Sequence, residues 1–125
     1  MASDPIRPLS PHLQIYRLPL TALLSITHRI TGVVLSLGLI CLIGILMAVA
    51  GQGQAYDSVH SFLNGRLGQG LLLLWLLALF VHFCHGIRHL IWDTTCGFDR
   101  SLLTRHSLWE LFFAAALTIL SWFLL

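Results

Sequence analysis

HFCHGIRHLIWD, residues 82–93, sets three histidines, an arginine and an aspartate at the end of the apolar run LLLLWLLALFV. Imidazoles ligate iron and other transition metals, carry protons and bridge helices, so depth and direction decide which chemistry they serve. On a helix advancing about 100° per residue with His82 at zero, His85 falls near −60°, Gly86 near +40°, His89 near −20° and Asp93 near +20°. One stripe carries all of them. Arg88, at about 240°, and Cys84, at about 200°, lie off it. With a rise of about 1.5 Å per residue, His82 sits about 16 Å inward from Asp93.

Three chemistries are open to a histidine at that depth. His82 can hydrogen-bond a neighbouring helix, as polar side chains between membrane helices do. It can be an axial ligand to haem iron, with Gly86 one turn away leaving room for a flat macrocycle. Or His82, His85 and His89, three and four residues apart, can hold zinc, copper or nickel, although Asp93 is the only carboxylate on the stripe. Cys84 reads as a packing or lipid-facing residue. Arg88 reads as a snorkelling side chain at a helix end, and Asp93 as a boundary group.

LSITHRITG, residues 24–32, repeats the pattern. Ser25, His28, Arg29 and Gly32 fall at about 0°, −60°, +40° and −20°, with Ser36 at about +20°. Arginine in such a segment needs an anion or the interface. Arg29 therefore either snorkels beside a Gly32–Ser36 packing patch or lines a polar pocket facing the second stripe. Such a pocket suits the carboxylates of a haem, paired by Arg29, His28 and His89, or the carbonyl oxygens of a quinone, bonded by Ser25 and Arg29.

The elements that must position these groups follow from composition. Of 125 residues, 57% are hydrophobic and 10% charged, and the mean hydropathy is +0.85. The apolar runs are long enough to span a bilayer, which takes about 20 helical residues. The expectation is an all-α integral membrane protein: an N-terminal cytoplasmic segment, 1–20, then a three-helix anchor over 21–125, with helices at about 21–50, 67–93 and 107–125. Pro19 suits the first turn of the first helix, Gly51 and Gly53 mark its end, and Ser107 with Glu110 forms a capping-box pattern opening the third. The start MASDPIRPLSPH lacks the features of a cleaved secretory signal, so the tail is expected to be kept. Cys41, Cys84 and Cys96 are odd in number and widely spaced, which suggests neither a disulfide framework nor a zinc site. No CxxCH occurs, which argues against covalent haem of the c type. Arg7, Arg17 and Arg29 cluster near the N-terminus and Arg88, Arg100 and Arg105 around the second loop, against Arg66 alone near the first. The positive-inside rule then puts the N-terminus and second loop in the cytoplasm. Nothing in the net charge of +2 argues for nucleic acid.

RPLSPHLQIYRLPLTALLSITHRITG, with HFCHGIRHLIWD roughly fifty residues later, resembles the cytochrome b membrane-anchor subunits of succinate dehydrogenase, respiratory complex II, in their mitochondrial and alphaproteobacterial branch. SxxHRxTG and HxxxGxRHLxWD at this spacing carry the likeness, which covers essentially the whole chain. It implies a bacterial or mitochondrial inner-membrane protein in a four-subunit complex: a flavoprotein oxidises succinate, an iron-sulfur subunit passes electrons to ubiquinone, and this chain and a second small anchor hold them to the membrane. By the same resemblance His82 ligates the iron of haem b, the partner anchor supplies the opposite ligand, Ser25 and Arg29 bind quinone, and His28, Arg29 and His89 lie near the haem propionates. The chain alone is then not an enzyme for succinate oxidation. His85 has no role in that scheme. The rivals are a haem-free structural anchor and a histidine-lined metal or proton transporter, the latter disfavoured by a single stripe and by no second carboxylate-bearing helix.

Overall fold

A computed structural model describes residues 15–124; Arg7, the RPLSPH start and most of the expected cytoplasmic tail lie outside the described residues. Four helices follow in order: α1 (Leu20–Gly51), α2 (Gln54–Asn64), α3 (Arg66–Asp93) and α4 (Arg100–Leu124). The Pro19 carbonyl opens α1 by accepting the amides of Ala22 and Leu23 at 3.0 and 3.2 Å. Proline stands here as the cap, one residue before the first helical turn. At the other end Gln52 and Gly53, with φ of 53° and 70°, turn the chain out of α1.

The linker expected between the first two spans is itself helical over most of its length. Its sequence QAYDSVHSFLN is amphipathic and too short to cross a bilayer, so it gives no long apolar run. It packs on the start of α3 at Gly68, where a Cβ would overlap the Phe62 carbonyl. Only glycine permits that approach.

The third span also opens differently from expectation. The Asp99 carbonyl accepts the amides of Leu102 and Leu103, and α4 begins at Arg100, seven residues before Ser107. Ser107 and Glu110 are therefore not a capping box. They sit on the second and third turns, three residues apart on one face, and that face meets α3.

Among the described residues three helices are long and apolar enough to span a membrane, and within each span the backbone amides are satisfied by the helix itself. The packing is inverted relative to a water-soluble domain. Leu24, Val81 and Ala114 are the buried apolar residues, whereas Thr31, His85, Arg88, Ser107, Glu110 and Thr118 are buried polar ones. Large apolar side chains such as Ile40, Leu74 and Phe112 point outward, as lipid or neighbouring apolar helices would favour. α3 lies between α1 and α4 and packs on both. Toward α1 it seats the Trp75 indole against Gly38, where a Cβ would overlap the ring.

Candidate functional site

The two polar stripes meet. His28 of α1 stacks on His82 of α3, with ring centroids 3.9 Å apart and planes 10° from parallel. His85 and His89 stand around the same ring, with centroids 5.0 and 5.7 Å from that of His28. This contact depends on Gly32, where a Cβ would lie 3.1 Å from His82 Cε1, tighter than ordinary packing allows. Gly86 is less demanding, since a Cβ there would meet His28 Cε1 at 3.9 Å. Glycine is thus needed most on α1, opposite the ligand candidate, rather than one turn along α3.

The hydrogen bonding around His82 fixes which ring nitrogen carries the proton. Nδ1 lies 3.1 Å from the His28 carbonyl oxygen, which can only accept, so Nδ1 is the protonated nitrogen. Thr31 Oγ1, 3.2 Å away, accepts as well, because its own hydrogen is directed at the backbone carbonyls of Thr27 and His28, each at 2.9 Å. Nε2 is left with a lone pair and is absent from the buried, unpartnered nitrogens of the cluster. A histidine that ligates a metal through one nitrogen while donating the other N–H to a backbone carbonyl has this arrangement. The donor set therefore fits an iron ligand at His82. Among the described residues no group of three or more His, Cys, Asp or Glu side chains is disposed to hold a metal ion on its own, so the reading of His82, His85 and His89 as a self-contained zinc or copper centre finds no support.

Ser25 lies half-buried and Arg29 exposed on α1, next to this cluster in sequence, and among the described residues neither makes a side-chain hydrogen bond. His89 and Asp93 are exposed, and Cys84 is half-buried.

Toward α4 the picture differs from expectation. Arg88 does not snorkel. Its NH1 donates to Ser107 Oγ at 2.7 Å and to Glu110 Oε2 at 3.0 Å, and its NH2 donates to the Leu103 carbonyl at 3.1 Å. The guanidinium also lies 4.6 Å from the centre of the Trp92 ring. Off the histidine stripe, Arg88 meets α4 rather than the headgroups. His85, wholly buried, brings Nδ1 within 2.7 Å of Glu110 Oε1. The third span does, then, carry an inward carboxylate, contrary to the expectation that no second helix has one. The sequence held a signal for it: Glu110 is the one acidic residue lying within an apolar segment rather than at its end.

Between α3 and α4 a cleft of about 490 Å³ is lined by residues including Cys84, Arg88, Trp92, His106, Trp109 and Glu110. A second, apolar cleft of about 510 Å³ lies beside Gly38 and Trp75.

A bundle of three membrane-length helices with an imidazole cluster between two of them defines an all-α membrane subunit. Residues 3–121 match the family model for the succinate dehydrogenase/fumarate reductase transmembrane subunit. The chain belongs to that family. It is 40% identical over 91 residues to the mitochondrial succinate dehydrogenase cytochrome b560 subunit of Dictyostelium discoideum, covering 73% of this chain and 47% of that protein. It is 40% identical over 93 residues to the succinate dehydrogenase cytochrome b556 subunit of Paracoccus denitrificans, covering 74% and 72%. With the cytochrome b556 subunit of Rickettsia bellii the identity is 35% over 119 residues, 93% of this chain and 90% of the relative. The chain thus spans about half the length of the Dictyostelium relative and most of the two bacterial ones.

Proposed function

We propose that this chain is the cytochrome b anchor of a succinate:quinone oxidoreductase, with His82 holding the iron of haem b through Nε2. The observation that carries the reading is the pair of acceptors at His82 Nδ1, the His28 carbonyl and Thr31 Oγ1, which hold the ring by that nitrogen and leave Nε2 for a ligand bond. A second small membrane anchor would supply the iron's other protein ligand. His28, Arg29 and His89 pair with the propionates by charge-assisted hydrogen bonds. When bound, the haem supplies a one-electron store beside the quinone site.

Ser25 and Arg29 orient ubiquinone and polarise its carbonyl oxygens, placing donors where negative charge develops during reduction. Electrons come from an iron-sulfur subunit, which receives them from a flavoprotein that oxidises succinate. The arginine distribution supports an N-terminus and an α3–α4 loop on the cytoplasmic or matrix face of a bacterial or mitochondrial inner membrane, so the quinone site lies near that face.

The experiment uses the complex purified in mild detergent, with a flavoprotein, an iron-sulfur protein and a second small hydrophobic subunit expected to co-purify. Arg29→Ala should abolish succinate-to-quinone electron transfer while succinate oxidation by an artificial dye persists. Equal loss of both activities would instead assign Arg29 to assembly.

A further inference from the structure

Thr31 is buried, 7% exposed, and its own helix already satisfies its hydroxyl: Oγ1 lies 2.9 Å from the carbonyl oxygens of Thr27 and of His28. Such back-bonding would serve a threonine on any helix, and it needs no neighbour. Yet Oγ1 also stands 3.2 Å from His82 Nδ1 on α3. We propose that Thr31 is a positioning residue for the haem ligand, a second acceptor that holds the His82 ring in one orientation and raises the electron density that Nε2 offers to iron. The proposal rests on the haem reading given above.

Counting donors against lone pairs assigns the hydroxyl hydrogen. A carbonyl oxygen has two lone pairs to accept with. In α1 the Thr27 carbonyl takes the Thr31 amide and the His28 carbonyl takes the Gly32 amide, by the repeating pattern of an α-helix. One lone pair remains on each. His82 Nδ1–H uses that of His28, at 3.1 Å, so the Thr31 hydroxyl donates to Thr27. Oγ1 then keeps its own lone pairs, and the donor beside them is the same His82 N–H, which has two acceptors at nearly equal distance.

Two consequences follow for the ring. A single N–H···O bond lets an imidazole pivot about it, whereas a second acceptor on the same hydrogen removes that freedom. Threonine suits the task because its β-branch and its back-bonded hydroxyl together fix χ1, and with it the place of Oγ1. Gly32, the next residue, permits the approach, since a Cβ there would stand 3.1 Å from His82 Cε1. The neighbours divide the work: Gly32 lets the ring come close and Thr31 fixes what its N–H meets. The second consequence is electronic. Acceptors on the far N–H of a ligating imidazole raise its basicity, and an electron-richer ligand favours ferric over ferrous iron. Thr31 therefore lowers the potential of a haem bound at Nε2, second-shell hydrogen bonding being one of the means by which a protein tunes haem.

The test is the midpoint potential of the b-type band, measured spectroelectrochemically at one pH in the purified complex with the unmodified chain, Thr31→Val and Thr31→Ser. Valine keeps the shape of threonine and removes the acceptor; serine keeps the oxygen and removes the methyl group. Thr31→Val should raise the potential, changing the ferrous-to-ferric ratio by up to tenfold, or about 59 mV for one electron. Thr31→Ser should stay near the unmodified value. A potential unchanged in Thr31→Val, or one that moves as far in Thr31→Ser, would overturn the role of the hydroxyl. If Thr31→Val fails to hold haem, the serine variant decides: a retained band at the unmodified potential supports the acceptor, and loss of haem there too overturns it. Absence of b-type bands from the unmodified complex would overturn the haem reading and this proposal with it.

Discussion

Toward α4, Arg88 is held by Ser107, Glu110 and the Leu103 carbonyl, and His85 by Glu110 through Nδ1, leaving only Arg88 Nε and His85 Nε2 without partners. Toward α1 the bonding is sparser. His82 has partners for one ring nitrogen only, His28 leaves Nδ1 unpartnered, and Arg29 and His89 are exposed. Buried or lipid-facing polar groups carry a large cost when unmatched. The more fully bonded α4 side therefore reads as architecture and the sparser α1 side as a place where something else completes the bonding. A single twelve-residue motif feeds both.

The most severe way to break this contrast is Glu110→Leu. It strands a buried guanidinium and leaves His85 Nδ1 unbonded, and removing one partner of a buried pair costs about 3–5 kcal/mol. The expected result is loss of the assembled complex in a thermal-stability series in detergent. Arg88→Met combined with Glu110→Leu should recover much of that loss, because two apolar residues of similar volume leave no uncompensated charge. Equal losses in the single and double variants would show that the α3–α4 contact does not depend on charge pairing.

A smaller effect probes the α1 side. Gly32→Ala puts a methyl group 3.1 Å from His82 Cε1, and overpacking a close contact costs about 1–3 kcal/mol. The complex should still assemble, with the b-type band shifted as the His82 ring moves. An unshifted band would mean that this contact does not position the ligand.

How much of this the sequence disclosed follows the same division. The three spans were legible, and so were the two polar stripes that carry His28 and His82, because helical periodicity places residues on a face without knowledge of the partner helix; the contact of His28 with His85 was not. The role of Arg88 was not. Its angle on α3 follows from the helical repeat, but the meaning of that angle depends on what lies opposite, and α4 begins at Arg100, seven residues before the expected start at Ser107. Ser107 and Glu110 matched a capping pattern in spacing and residue type, yet the same i, i+3 spacing also presents two polar groups to a neighbouring helix. Glu110 inside an apolar segment was the discriminating clue, since an intramembrane carboxylate needs a cationic or donor partner. α2 was missed because it is amphipathic over 11 residues, a pattern that hydropathy over membrane-length windows averages away. Thr31 was missed as a partner of His82 because a threonine that bonds its own backbone, as Thr31 does, gives no sign in sequence of a second bond.

The central claim is that His82 presents Nε2 to haem iron. The direct measurement is the dithionite-minus-oxidised difference spectrum of the purified complex carrying His82→Tyr, beside the unmodified one. The account predicts b-type bands in the unmodified complex and their loss or marked shift in the variant, with the soluble subunits still attached. Bands of unchanged position and intensity in His82→Tyr would contradict it.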